Sequence, residues 1–414
     1  MDALRIWLDG AGKTVTLTDK QSVSGMIPED KMPVGTDCIV VSSAIQTSHL
    51  QYIWACANTV PVIHRSECVK QFMQRDGTQV VSISGAHGKT TTSSLLANIL
   101  SLAGPTTFMV GGLVKNYSAT ARYVANAKYV CIEADESDGS MLNLGGDINL
   151  LTNLALEHIN YYRSFDNYVT QMRNFLLLAK NRIAHSSCKG YLGAIKDVTY
   201  YGVDYDSKVI NLQTSKNGME FTLITSNDAY SIRTKLIGHH MIENIAGCVK
   251  ICESLGLDKQ IILDGIAEFK GTKKRSEIFE SNGVLFIQDY AHHPNEIATT
   301  LESFKNISTG RVCVLWEPHK YSRLEVNGLD RFVKALEQAD EVWILPVWGA
   351  GEDFVEKYSQ ENLVLKLPNS FQVAGAEDVR RRLQNMVPGD VVIAMGAGGI
   401  YKLFEEALQL CGAV

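Results

Sequence analysis

The stretch "SISGAHGKTTT" at residues 82–92 has the residue types of a phosphate cradle. Gly85 and Gly88 let backbone approach an anion, Lys89 can reach the β/γ oxygens of a nucleotide, and the Thr90 hydroxyl is placed to ligate Mg²⁺. Such a loop needs a strand before it and a helix after it. "VVSIS" supplies the strand. "TTSSLLANIL", with Leu95, Leu96, Ile99 and Leu100 on one face, supplies the helix. The spacing is GxxGKT rather than GxxxxGKT.

Two other glycine-rich stretches compete for the same reading. "GAGKT" at 10–14 has a helix before it and a strand-like "TVTLTD" after it, the reverse of the required order. The glycine of the long phosphate-loop motif would fall on Trp7. Gly10 and Gly12 therefore read as the C-terminal cap of the first helix, with Lys13 in solvent. "MGAGGI" at 395–400 lies between a strand and a helix but lacks a Lys-Thr pair. It reads as a turn, with an anion contact as the alternative.

Acidic and imidazole groups should gather near the first loop. "YVCIEADESDGS" is an apolar strand opening into acids, and its carboxyl end belongs beside the phosphate loop in a doubly wound sheet. Glu133 is then the expected Mg²⁺ ligand, because a hard cation takes carboxylate oxygen. Asp135, Glu136 and Asp138 are further ligands or a solvated turn. The next strand brings Asn153, Glu157 and His158 to the same edge. The His158 imidazole could ligate a second metal or, protonated, pair with phosphate.

The elements that position these groups alternate between strand-like and helix-like, which predicts an α/β fold with parallel sheets. Three domains are expected, at 1–76, 77–272 and 273–414. The first has helices at 3–11, "LQYIWACANT" and "SECVKQFMQR" and strands "TVTLTD" and "DCIVVSS". The second has strands "KYVCIEA" and "INLLTNL" and helices at 91–103 and 166–180. It carries an antiparallel insert between about 198 and 236 that begins with "VTYYGV", and helices at 241–255 and 258–269 follow. "KGTKKRSE" is a hinge candidate. The third runs from "VLFIQDYA" through "RVCVLWEP" and "EVWILPV" to "GDVVIAMGAGG", with helices between.

Taken in order, "GAHGKTT", "EADESD", "TNLALEHI", "GHHMIENIAG", "GTKKRSE", "DYAHHP" and "EPHKYSR" resemble the motif set of the Mur ligases, the ATP-dependent amide-forming enzymes of peptidoglycan synthesis. The resemblance covers nearly the whole chain. "DYAHHP" with "PHKYSR" most resembles the branch that adds L-alanine to UDP-N-acetylmuramate. It implies a Rossmann-like UDP-sugar domain, a central ATPase and a C-terminal Rossmann-like domain that brings the amino acid. It also implies roles. Gly85, Gly88, Lys89, Thr90 and Thr91 would bind ATP, with Lys89 on the γ-phosphate. Thr90 and Glu133 would hold one Mg²⁺ and His158 a second. Asn244 would contact adenine, and Arg275 and Asp289 would complete the ATP site. Tyr290, His293, His319 and Arg323 would frame the alanine. Asp19, at a strand end, would lie near the nucleoside of the sugar nucleotide. The reaction would pass through an acyl phosphate that the alanine amine attacks.

Departures from the family pattern are Met241 for an asparagine and Lys320 for an arginine, which keeps charge but loses the bidentate fork. The family begins with a strand and a GxGGxGMS-like loop. "MDALRIWL" matches the helix after that loop, so the first domain is expected to be truncated. Two other readings stand beside the alanine-adding ligase: a sibling that attaches a preformed peptide to the same sugar nucleotide, and a degenerate paralogue that binds ATP without ligating.

Composition bounds the rest. The chain has 414 residues, 45% hydrophobic and 20% charged, with a net charge of −6. No basic excess points to nucleic acid. No apolar run approaches the ~20 residues of a membrane span. Nine dispersed cysteines without a CxxC pair fit a reducing cytoplasm. A monomer or weak homodimer is expected.

Overall fold

The apolar run Gln79–Ser84 becomes the central strand of a seven-stranded sheet, with five of its six residues buried. The computed structural model describes residues 1–19, 27–28, 35–73, 77–193 and 195–412. They fall into two units: Met1–Lys208 with Thr225–Asn227 and Asn244–Ile266, and Val209–Ile224 with Asp228–Glu243 and Ala267–Val414.

In the first unit the strand order is Val198–Tyr201, Asn181–His185, Ile148–Leu151, Gln79–Ser84, Tyr129–Glu133, Thr106–Val114, Ala119–Arg122. All neighbours are parallel except the last pair. The chain turns to opposite sides of Gln79–Ser84, so the loops leaving that strand and its two neighbours converge at one edge, where ligands of doubly wound sheets bind. The helix Lys89–Ala103 follows, buried from Thr90 to Leu100. Its small Thr and Ser side chains allow close packing on both sides. Asn98 Nδ2 donates to Gly265 O at 2.7 Å across to the helix Lys259–Ala267.

The N-terminal residues share that core. The helix Asp2–Gly10 buries Leu4 and Trp7, and Trp7 Nε1 donates to Phe108 O at 2.9 Å. Ile39–Val41 pairs in parallel with Val62–His64, and the helices Leu50–Ala57 and Arg65–Met73 flank this pair. Two strands cannot bury a core of their own. Cys68, Val69 and Met73 accordingly join Val80, Leu151 and Met172 in one apolar cluster.

Two strand expectations shift. "VTYYGV" pairs in parallel at the edge of the seven-stranded sheet instead of opening the antiparallel insert. Of "TVTLTD", only Thr18–Asp19 is strand, paired with Ile27–Pro28. The insert itself consists of Lys208–Ser215, Gly218–Ile224 and Ala229–Thr234.

The second unit's main sheet runs Glu277–Ser281, Val284–Asp289, Val391–Met395, Val312–Trp316, Glu341–Ile344, Ser370–Gln372, parallel except for the first pair. Side chains alternate between its faces. Ile287, Val314 and Ile393 meet Phe304, Leu324 and Phe332 on one face. Phe286, Leu315 and Val392 meet Val379 and Phe404 on the other. The architecture is α/β, as expected. No helix among the described residues is long and apolar enough to cross a membrane.

Candidate active site

Gly85 and Gly88 have φ of +134° and +80°, in the region that favours glycine. A Cβ on Gly85 would lie 2.2 Å from Thr152 Oγ1, and one on Gly88 would lie 2.6 Å from Asn244 Oδ1. The loop is thus drawn tightly against its neighbours. Asn153 clasps it: Oδ1 accepts from His87 N and Nδ2 donates to His87 O, both at 2.9 Å. Asn244 Oδ1 accepts from Thr92 Oγ1 at 3.2 Å, which fixes Asn244 beside the first turn of the helix. Thr91 is buried in that turn.

Lys89 Nζ lies under the loop, donating to Gly85 O at 2.6 Å and Ala86 O at 3.0 Å and pairing with Glu136 at 2.9 Å. Glu136 is 1% exposed and also meets His158 Nε2 at 3.3 Å. Burial alone would raise the Glu136 carboxyl, but Lys89 and His158 outweigh it and hold it below the usual range. Burial alone would lower Lys89, and Glu136, Glu133 and Asp135 together raise it. The result is a compact ammonium–carboxylate pair with an imidazole against the same carboxylate. The solvated-turn reading therefore fails for Glu136. His158 sits at φ +54°, a strained conformation of the kind that concentrates at functional sites.

Glu133 occupies the next position. Its carboxylate accepts from Thr90 Oγ1 at 2.9 Å, Ser93 Oγ at 3.3 Å and Gly111 N at 2.6 Å. A hydroxyl and a carboxylate held this close form an oxygen set that suits a hard divalent cation.

The second unit brings together another group. Arg275 stacks on the Tyr290 ring, 4.6 Å from its centroid. Asp289 accepts from Ser276 N and Oγ at 2.7 Å each and from Ala291 N at 2.8 Å, which ties the hinge turn to the end of its strand. Burial raises the Asp289 carboxyl, and Ser276 and Arg275 only partly offset this. Arg323 lies 2.5 Å from His319 Nδ1, and the His319 ring packs edge-on against His292 at 5.7 Å. Burial lowers His319 to about 4 and His292 to about 3, with Arg323 adding to both. Both imidazoles are neutral at pH 7. Lys320, the departure from the arginine pattern, sits at φ +64° at the head of the helix Tyr321–Asn327.

His293 is corrected by its surroundings. It is the N-cap of the helix Pro294–Lys305, accepting from Asn295 N through Nδ1 and forming a capping box with Glu296, while Nε2 meets Asn327 Oδ1 at 2.7 Å. Both ring nitrogens serve the fold, and it is His292 that faces His319. Sequence reading overlooked His292 and undervalued Glu136.

The other two glycine stretches resolve differently. Gly12 N donates to Asp9 O at 3.0 Å and Lys13 N to Leu8 O at 2.9 Å, with Gly12 at φ +74°. That is a Schellman cap, and Lys13 is exposed. At "MGAGGI", Glu317 accepts from Gly398 N at 2.8 Å and Gly399 N at 3.1 Å, so an internal carboxylate occupies the helix N-terminus. The side chain of Asp19, expected near a nucleoside, lies outside the described residues.

The sequence matches the Mur ligase middle domain over residues 83–252 and the Mur ligase, glutamate ligase domain over 274–398. It is 32% identical over 406 residues to a UDP-N-acetylmuramate–L-alanine ligase of Rickettsia bellii, covering 90% of this chain and 84% of the relative. To the protein of the same name from Rhodospirillum rubrum it is 31% identical, covering 87% and 80%. In fold it is similar to the crystal structure of the UDP-N-acetylmuramate-alanine ligase of Thermotoga maritima, with a TM-score of 0.75 at 21% identity over 90% of this chain and 85% of that one. A murein peptide ligase of Psychrobacter arcticus superposes with a TM-score of 0.67 at 18% identity, covering 100% and 97%.

Proposed function

Because the chain belongs to the Mur ligase family, we propose that it joins L-alanine to UDP-N-acetylmuramate at the expense of ATP, in the cytoplasm, as a step of peptidoglycan synthesis. The observation that carries the choice of substrates is the likeness, over 90% of the chain, to a relative named for that activity. The site geometry supports the chemistry. A carboxylate forms an amide only after activation, and phosphoryl transfer from ATP to that carboxylate gives an acyl phosphate and ADP. The amine then attacks the acyl carbon and phosphate leaves.

The protein's part is mainly positioning and charge. In this reading the phosphates would sit at the Gly85–Gly88 loop beside Lys89, with the base near Asn244. Thr90 and Glu133 would hold one Mg²⁺ and His158 a second. Bound there, the cations neutralise phosphate oxygens. Arg275 and Asp289 complete the nucleotide site in this reading. Arg323 pairs with the carboxylate of alanine, and Tyr290 and the two neutral imidazoles line the amine's side. His292 Nδ1 lies 2.8 Å from Tyr290 O and must donate there, which leaves Nε2 with a lone pair. His319 Nδ1 accepts from Arg323, which places its proton on Nε2. The pair thus offers one acceptor and one donor.

The test is ADP release with purified protein, with mass analysis of the product. Release that requires both UDP-N-acetylmuramate and L-alanine, with a new amide, is expected. Release indifferent to both substrates, or turnover only with a preformed peptide in place of alanine, would sink the proposal.

A further inference from the structure

The carboxyl ends of the small parallel pair and of the large sheet meet at one acid, Asp138. Its Oδ1 accepts from Ser140 N at 3.0 Å. Its Oδ2 accepts from Ser43 Oγ, in the loop after Ile39–Val41, and pairs at 3.3 Å with Arg65 Nη2, at the head of the helix Arg65–Met73. A second row of contacts backs the first. His64 Nε2 meets Ser43 Oγ at 3.1 Å and His64 Nδ1 meets Ser66 Oγ at 2.7 Å, and Asn143 Nδ2 donates to the same Ser66 Oγ at 2.9 Å. Asp135 lies 4.0 Å from the same guanidinium and is also among the charges that raise Lys89. Burial would raise the Asp138 carboxyl, but the Ser140 and Ser43 hydrogen bonds and Arg65 outweigh it and hold it low.

Glu136 lies two residues before Asp138 in the same loop and fixes both Lys89 and His158. Tyr162 OH donates to Glu136 O, so that loop is held at its middle as well as its end. We propose that Arg65 is a positioning residue: through Asp138 it locks the acidic loop to the N-terminal segment and so sets the phosphate-loop lysine against whatever that segment presents. It touches no reacting atom. In the ligase reading, on which this rests for its kinetic test, the N-terminal segment presents the sugar nucleotide, and the lock sets the distance between its carboxylate and the transferring phosphoryl group. Misplacement of the order of 1 Å in such a geometry costs up to about 10²-fold in rate.

The experiment is a double-mutant cycle with Arg65→Ala, Asp138→Asn and both, in the full chain. If the lock exists, each single change lowers kcat about 10-fold while KM for ATP and for L-alanine stays within about 2-fold. The double variant then falls no further than about 20-fold, because one interaction is lost once. Arg65→Lys, which keeps the charge, recovers part of the loss. A double variant that falls to the product of the singles, about 100-fold, overturns the inference, as does a loss that appears only in KM. Should the unaltered protein show no ADP release dependent on both substrates, the ligase reading fails by itself. The same cycle is then read from ADP affinity by calorimetry, where additive effects of the two changes overturn the lock.

Discussion

The turns Gly85–Gly88 and Gly396–Gly399 each leave a buried parallel strand and enter a helix, yet they are filled by opposite charges. Beneath the first lies the Lys89 ammonium, and the nearest carboxylates, Glu133 and Glu136, are turned toward Thr90 and Lys89. Into the second points Glu317, taking the amides of Gly398 and Gly399. Helix N-termini attract anions in both cases. What separates a nucleotide cradle from a structural turn is whether the fold itself supplies the anion. In the second unit it does, from a strand end 81 residues away in sequence.

Lys89→Met should produce the largest effect. Removing a charge aimed at developing negative charge typically costs about 10²–10³-fold in kcat. Glu136 keeps His158 as a partner, so the protein should remain folded. Steady-state kinetics beside a urea titration checks both halves. A loss confined to stability would mean that Lys89 is only a counter-ion for Glu136.

Glu317→Ala should do the reverse. It strips the amides of Gly398 and Gly399, at a helix N-terminus, of their acceptor, which costs about 0.5–2 kcal/mol of stability. Glu317→Gln retains one acceptor oxygen and should cost less. ADP affinity should be unchanged in both. The urea midpoint measures the first expectation and calorimetry the second. An Ala variant with an unshifted midpoint would return "MGAGGI" to the candidate anion sites.

Most of the strand, loop and helix around Gly85–Gly88 was legible in the sequence because they are consecutive, and local pattern fixes them. The identity of the second imidazole was legible too, and was missed. His293 precedes Pro294 and stands three before Glu296, the pattern of an N-cap with a capping box, which turns the ring back onto its own helix and leaves His292 to face His319. Glu317 was not legible, since its partners are distant in the chain. Nor was the placement of Tyr201: "VTYYGV" alternates like any half-exposed strand, and its parallel ladder with Arg182–His185, not its own pattern, assigns it to the larger sheet. Glu136 was ambiguous because a strand end followed by three acids, Asp135, Glu136 and Asp138, does not say which of them turns inward. Burial decides it.

The two units should also differ in their response to acid. Burial, with help from Arg323 and His319, holds His292 at about 3, against about 6.5 for a free imidazole. The unfolded chain therefore takes the proton first. The stability at stake is fully present above about pH 6.5 and is lost as pH falls toward 3, at up to about 1.4 kcal/mol per pH unit for this one group. His319, lowered to about 4, acts in the same direction. His292→Gln keeps a donor for Tyr290 O and should flatten the dependence of the urea midpoint between pH 7 and pH 5. An unchanged slope would mean that His292 is not the group responsible.

The smallest effect belongs to the stretch that imitates a phosphate loop. Lys13 is exposed and its side chain has no place in the cradle, so Lys13→Ala should leave ADP affinity and turnover within experimental error. Gly12 is different, because its φ of +74° is required by the cap that joins Lys13 N to Leu8 O. An alanine there must adopt a left-handed backbone, so Gly12→Ala should cost about 1 kcal/mol. The cost should appear as a lower melting temperature with no change in ADP affinity. A glycine that mattered for phosphate would differ in the second result: ADP affinity would fall, whatever happened to the melting temperature. Measured beside Gly88→Ala, where a side chain would meet Asn244 at the mouth of the real loop, the two variants separate a glycine needed to end a helix from one needed to admit an anion.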